Sequence, residues 1–239
     1  MSEDEYRIQE YKVLCKTSGS DALDFHSISQ PITEYDPVIQ DYFESISLVP
    51  KLRETRAFVG FSRLEPNQRT ISDRKKELRL GSTEDWLPAI EVFGEGIFFK
   101  FDAEKLQKWA KIPSVQKRIS KLNTAYHKAR FGADSVGDLR PEYVLIHTFA
   151  HLIINQLSFD CGYGSSSIRE RIYCERSSND LNMYGLLIYT ASGDSEGSLG
   201  GLVRQGEAGR LEDTIVSAIE NASWCTSDPI CIQSAGQGP

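Results

Sequence analysis

The sequence of 239 residues contains few cysteines and lacks a long apolar run. Its five cysteines are a sparse and odd-numbered set, which indicates a reducing compartment and not the disulfide framework of a small secreted domain. The longest uncharged apolar stretch, from Tyr143 to Leu157, is interrupted by polar residues and is shorter than the roughly 20 apolar residues of a membrane span. The acidic start, MSEDE, lacks the basic and apolar regions of a secretory signal. We therefore expect a soluble, cytoplasmic protein that makes no membrane contact.

Charge is distributed unevenly along this sequence, whose formal net charge is −7. Residues 50–79 contain nine basic and four acidic side chains, and residues 100–130 contain nine and two. Such basic segments can neutralise nucleic-acid phosphates, although a lysine-rich helix face is often only solvated. The residues predicted to bind nucleic acid are Arg53, Arg56, Arg63, Arg74, Lys75, Lys76, Lys117, Arg118 and Lys121.

The order of the predicted elements favours a mixed α/β fold. A helix is predicted over about residues 142–159, and the glycines that follow it suit a helix end. The apolar run at residues 185–190 is typical of a central strand. We predict an N-terminal mixed α/β region with the basic segments over residues 1–137, and a C-terminal α/β domain over residues 138–239.

Shorter elements are predicted from local patterns. Asp102 has the side chain of a helix N-cap, and the glycines around Glu95 suit a tight turn between paired strands. The expected elements are a strand at 10–15, strands on both sides of a turn at 94–96, helices at 102–109, 114–130, 165–171 and 211–222, and a surface loop at 65–85.

Two histidines, His147 and His151, stand at positions i and i+4 of the predicted helix, where one metal ion can bind both. Zinc proteases with this spacing need a glutamate beside the first histidine, and here that residue is Thr148, which argues against a metalloprotease. One hypothesis for the function is therefore a metal-dependent nuclease or hydrolase that uses both histidines with Asp194 and Glu196. Two buried, hydrogen-bonded histidines are the alternative.

Asp194 and Glu196 belong to a glycine-rich loop between the predicted strand and the last helix. Such a loop can present backbone N–H groups to phosphate. Its spacing matches neither the Walker A loop nor the dinucleotide fingerprint, so the sequence does not support nucleotide hydrolysis. Glycines that are needed for turns and close packing are the alternative.

Six stretches of the sequence, taken in order, resemble the C-terminal part of DrmB proteins, core components of bacterial DISARM anti-phage systems. The resemblance covers about residues 47–239. The stretches are LRETRAFVGF (52–61), GEGIF (94–98), HTFAHLI (147–153), CGYGSSSIRERIY (161–173), LIYT leading to GSLGGL (187–202) and WCTSDPIC (224–231).

The resemblance implies that residues 138–239 form a zinc-binding-type domain, also found in MrfA-type DNA repair helicases. It further implies a non-catalytic subunit that partners a DrmA-type helicase and engages phage DNA. The four-cysteine zinc site of the family would map onto Cys225 and Cys231, and its second half is a downstream Cys-x-x-Cys segment. The sequence reaches Pro239 without that segment, so we expect an incomplete zinc site whose other ligands come from elsewhere. A pure protein scaffold for a helicase is a further hypothesis for the function.

Overall fold

The computed structural model describes residues 3–16, 20–58, 86–129, 137–162, 167–174, 182–192 and 200–224. The strands are β1 (Ser20–Ala22), β2 (Phe25–Gln30), β3 (Phe43–Ala57), β4 (Ala89–Phe101), β5 (Ile168–Tyr173) and β6 (Gly185–Ser192). The helices are α1 (Glu3–Leu14), α2 (Pro37–Tyr42), α3 (Ala103–Ala110), α4 (Pro113–Ala129), α5 (Pro141–Cys161), α6 (Gly201–Gln205) and α7 (Leu211–Ala222), with a 3₁₀ turn at Ile32–Glu34. The predicted mixed α/β fold class is confirmed.

Within these ranges the strands form one antiparallel sheet in the order β1-β2-β3-β4-β6-β5. Strand β6 lies between β4 and β5, so the strand predicted at 185–190 is confirmed as an interior strand. Both faces of β6 are covered, since Ile188 packs in one apolar cluster and Leu187 in another. This explains why the run is apolar at successive positions and does not alternate with polar residues.

Each face of the sheet has its own apolar cluster. On one face, α5 contributes Ile146, Ala150 and Ile153, whose helical spacing places them on a single stripe. On the other face, α1 contributes Tyr11, whose ring meets the ring of Phe98 edge-on with the centroids 6.0 Å apart. The sheet is therefore sandwiched between α1 and a layer of helices that includes α5.

Helix α5 confirms the helix predicted over about residues 142–159. It begins at Pro141, where the missing N–H removes no helical hydrogen bond. It ends before Gly162, which has a φ of 70°. This left-handed conformation suits glycine, which has no Cβ to clash. Local sequence signals thus fix both ends of the helix.

The predicted helices at 102–109, 114–130 and 211–222 are also present, as α3, α4 and α7. The side chain of Asp102 accepts a hydrogen bond from the backbone N–H of Lys105 at 2.8 Å, as an N-cap does.

The strand predicted at 10–15 is wrong, because all but the last of these residues belong to α1. Tyr11 and Leu14 are three positions apart and both are buried, which is a helical pattern. The guanidinium of Arg171 donates hydrogen bonds to both carboxylate oxygens of Glu10, at 2.9 and 3.1 Å. Contacts with a strand that is distant in sequence therefore hold this segment as a helix on the sheet.

Two further local predictions are corrected by the structure. The turn predicted at 94–96 is wrong, because these residues lie inside the continuous strand β4. The helix predicted at 165–171 is wrong in its described part, because Ile168–Tyr173 is strand β5. Ile168 and Ile172 pack in one cluster and Tyr173 in the other, which is the two-residue alternation of a strand between two layers.

The division between residues 1–137 and 138–239 stays a prediction. Strands from both regions belong to one sheet, because β4 pairs with β6. The surface loop predicted at 65–85 lies outside the described residues. In the part of the chain that the structure describes, no helix has both the length and the apolar character to cross a membrane.

Candidate metal centre and basic helix

Three possible metal ligands converge where α5 meets the edge strand β5. The Nε2 atoms of His147 and His151 are 3.0 Å apart. The Oε1 atom of Glu170 lies 3.2 Å from Nε2 of His147 and 3.8 Å from Nε2 of His151. No other group of three His, Cys, Asp or Glu residues with this proximity occurs among the described residues. The two histidines do share a helix face, and the structure adds a carboxylate to them.

The positions of these side chains follow from the two elements that hold them. In α5 the buried stripe includes Ile146 and Ala150, so His147 and His151 lie one position further round the helix, at the border of the core. Their side chains are 41% and 61% exposed, which excludes the buried pair considered from the sequence. Glu170 lies on the face of β5 that packs against α5, since strand residues two apart share a face.

The second carboxylate oxygen of Glu170 is also informative. Its Oε2 atom is buried and has no hydrogen-bond partner among the described residues. Buried polar atoms are usually hydrogen-bonded, and an unsatisfied one lowers stability. Sequence reasoning did not place Glu170 beside the two histidines, because residues 165–171 are predicted there as a helix. The alternating pattern IRERIY at 168–173 is the signal that could have placed it opposite α5.

The other residues of the hydrolase hypothesis, Asp194 and Glu196, lie outside the described residues. So do Cys225 and Cys231, the predicted zinc ligands, and Arg63, Arg74, Lys75 and Lys76 of the predicted nucleic-acid-binding set.

The described end of the glycine-rich loop binds a carboxylate of the same chain. The Glu95 side chain is fully buried and accepts hydrogen bonds from the backbone N–H groups of Gly200, Leu202 and Val203, at 2.7, 3.0 and 3.3 Å. These amides stand at the start of α6, where a negative charge is favourable. They are therefore engaged internally and are not free to bind phosphate.

Two of the predicted nucleic-acid-binding residues form ion pairs at the sheet. Arg53 contacts Asp24 at 2.9 Å and Glu91 at 3.5 Å. Arg56 contacts Glu54 at 2.9 Å. Each of these guanidinium groups is thus already partnered by a carboxylate.

Helix α4 presents the remaining three, Lys117, Arg118 and Lys121. All three are exposed, and none pairs with an acidic side chain within the described ranges. The sequence of α4, PSVQKRISKLNTAYHKA, contains no acidic residue. Lys117, Arg118 and Lys121 therefore form a basic helix surface on α4. In this they differ from the arginines of β3, which are paired with carboxylates.

Comparison with known proteins relates this chain to two groups. Residues 149–236 match the family described as the MrfA Zn-binding domain. Over 199 residues, or 80% of the chain, the sequence is 43% identical to DISARM protein DrmB of Bacillus paralicheniformis (strain ATCC 9945a / NCIMB 11709 / CD-2). This chain is similar to DrmB over most of its own length. The chain spans about a third of the length of DrmB, since the alignment covers 34% of that protein.

The resemblance to DrmB and to the MrfA-type zinc-binding domain that was stated from the sequence is thereby confirmed. The matched range 149–236 includes the predicted zinc ligands Cys225 and Cys231. It also includes His151 and Glu170 of the candidate metal centre, and it begins two residues after His147.

Proposed function

We propose that this chain is a non-catalytic, DNA-associated subunit of a DISARM-type anti-phage system, in which it partners a DrmA-type helicase in the cytoplasm. The identity of 43% to DISARM protein DrmB supports the anti-phage role. The match to the MrfA Zn-binding domain supports the connection to helicases that act on DNA.

The basic helix surface of α4 carries the DNA-binding part of this proposal. Lys117 and Lys121 are four positions apart, so they lie about 6 Å from one another along the helix axis, and Arg118 stands beside them. Because no carboxylate in the described residues neutralises them, all three charges are available to phosphates. Contacts of this kind bind the backbone and do not by themselves read the sequence of the DNA.

Replacing Lys117, Arg118 and Lys121 together with alanine is expected to weaken DNA binding on the order of 100-fold at physiological salt. The slope of log affinity against log salt concentration should fall by about 3, or about 1 for each lost phosphate contact. Fluorescence anisotropy of a labelled duplex, measured over a series of salt concentrations, gives both values.

The control for this variant replaces Lys100, Lys105 and Lys108 with alanine, which removes the same charge from residues paired with Glu44, Asp41 and Glu104. Its salt slope should change little. An equal loss in the two variants would mean that net charge, and not the α4 surface, governs binding. If the α4 variant binds DNA like the unmodified chain, the DNA contact lies elsewhere on the chain. If the unmodified chain itself does not bind DNA but still co-purifies with the helicase, the pure scaffold hypothesis is favoured instead.

A further inference from the structure

We propose that His147, His151 and Glu170 bind one divalent transition-metal ion of the zinc class, with a ligand set that includes neither Cys225 nor Cys231. Two imidazoles and one carboxylate are a donor set found in zinc sites with three protein ligands. The proposal rests on the described residues alone and is independent of the DNA-binding role of α4.

The distances between the donor atoms fit a single ion. Two ligand atoms that lie about 2.0–2.1 Å from zinc at the tetrahedral angle stand about 3.3 Å apart. The Nε2 atoms of His147 and His151 are 3.0 Å apart, and Oε1 of Glu170 lies 3.2 and 3.8 Å from them. Two of these distances are slightly below the expected value and one is above it. The three atoms therefore form a triangle of the size that one zinc ion requires.

The hydrogen-bonding capacity of the three groups also favours an ion. In a neutral imidazole each ring nitrogen either carries a proton or offers a lone pair. Here two Nε2 atoms and a carboxylate oxygen converge. With one Nε2 protonated, the proton serves one acceptor and leaves the other lone pair facing it; with both protonated, two N–H donors stand only 3.0 Å apart. A metal ion accepts a lone pair from each of them. It would also bring a positive charge close to Glu170, whose Oε2 has no hydrogen-bond partner in the described residues.

The position of the site indicates what the ion would do. It would join α5 to β5, which lies at the edge of the described sheet. The exposure of His147 and His151 leaves one side of the triangle open to solvent. A fourth position is thus available to water or to an external ligand, whereas a structural zinc site has four protein ligands.

Elemental analysis of the purified full chain, with Co²⁺ substitution as a spectroscopic probe, tests the proposal. We expect about one metal ion per chain that is lost in His147→Ala/His151→Ala and is retained in Cys225→Ser/Cys231→Ser. The Co²⁺ form should lack sulfur-to-metal charge-transfer absorption from this site, because its ligands are nitrogen and oxygen. If the chain is purified without metal, titration with Zn²⁺ should show saturable binding and raise the midpoint of thermal unfolding.

Two further variants keep the result interpretable. His127→Ala is the matched control, because His127, which lies on α4, also contacts a carboxylate, that of Asp138 at 2.8 Å. The metal content of this variant should not change. Glu170→Gln keeps the size of the side chain but removes the carboxylate, and it should weaken Zn²⁺ binding by about 10-fold or more. Circular dichroism should show that this variant is folded. The proposal would be overturned if the double histidine variant and Glu170→Gln had the same metal content and Zn²⁺ affinity as the unmodified chain. It would also be overturned if the unmodified chain did not bind Zn²⁺.

These outcomes separate the metal site from the DNA-binding proposal. The alanine variant of Lys117, Arg118 and Lys121 should keep its metal, since these residues lie on α4 and are not among the three ligands. Loss of the metal from the double histidine variant, with its DNA affinity retained, would support the metal site without bearing on the DNA-binding proposal.

Discussion

Replacing Glu95 with glutamine is expected to lower the free energy of unfolding by about 2–3 kcal/mol, because hydrogen bonds to a charged acceptor contribute more than neutral ones and buried donors that lose their acceptor are costly. The carboxylate is fully buried and accepts hydrogen bonds from the backbone N–H groups of Gly200, Leu202 and Val203. Glutamine has nearly the same size but no charge, and its amide group adds donors where the surrounding groups are donors. Urea denaturation followed by circular dichroism measures this change.

The matched control is Glu91→Gln, in the same strand. Glu91 is exposed, and its carboxylate contacts Arg53 at 3.5 Å on the protein surface. Because exposed ion pairs contribute about 0–1 kcal/mol, this variant should be nearly as stable as the unmodified chain. Similar stability of the Glu95 and Glu91 variants would show that the contact between β4 and the start of α6 contributes little to the fold.

Replacing Gly94 with alanine is expected to lower the free energy of unfolding by about 4 kcal/mol or more, a change that only strongly disruptive substitutions reach. A Cβ at this position would overlap the carbonyl oxygen of Thr190 and would lie 2.9 Å from the Cα of Ala191. Both atoms belong to the backbone of β6, so no side-chain rotation can relieve the overlap. The pairing of β4 with β6 would have to open locally, and the yield of folded protein should fall sharply.

Gly137→Ala is the control for the glycine substitution. A Cβ at Gly137 has no atom of the described residues within 4 Å. Alanine there should leave stability unchanged or raise it slightly, since it restricts the unfolded chain. Thermal unfolding monitored by circular dichroism compares the two variants. A Gly94 variant as stable as the Gly137 variant would contradict the close approach of β4 and β6.

Both predictions give the GEGIF stretch a structural role. The sequence alone suggests a turn there, because glycine is common in turns. In the fold, Gly94 allows two backbones to approach, and the carboxylate of Glu95 accepts hydrogen bonds from the backbone at the start of α6. The contacts of Gly94 and Glu95 within the fold therefore give this stretch a role in the packing of the sheet.

The two proposed sites lie on neighbouring helices but use different chemistry. Helix α4 offers exposed positive charge, which suits phosphates and makes binding depend strongly on salt. Helix α5 offers two imidazoles that meet a carboxylate of β5, which suits a metal ion. Separate readouts, namely the salt slope and the metal content, can therefore assign each role without reference to the other.

The sequence by itself determined the features that depend on near neighbours in the chain. The ends of α5 follow from a proline and from a glycine that adopts positive φ, and the N-cap of α3 follows from Asp102. The apolar run of β6 predicted an interior strand, and the spacing of His147 and His151 placed them on one helix face. The resemblance to DrmB was also available from the order of the motifs.

Only the tertiary structure decided which residues from distant parts of the chain meet. Glu170 joins His147 because β5 is a strand under α5, whereas local patterns had suggested a helix. Arg53 is engaged by Asp24 because β2 and β3 pair, so this arginine of a basic segment is not a free positive charge in the fold. The physical reason is the same in each case: burial and pairing depend on long-range contacts, and these override weak local preferences wherever a segment lies between two packed layers.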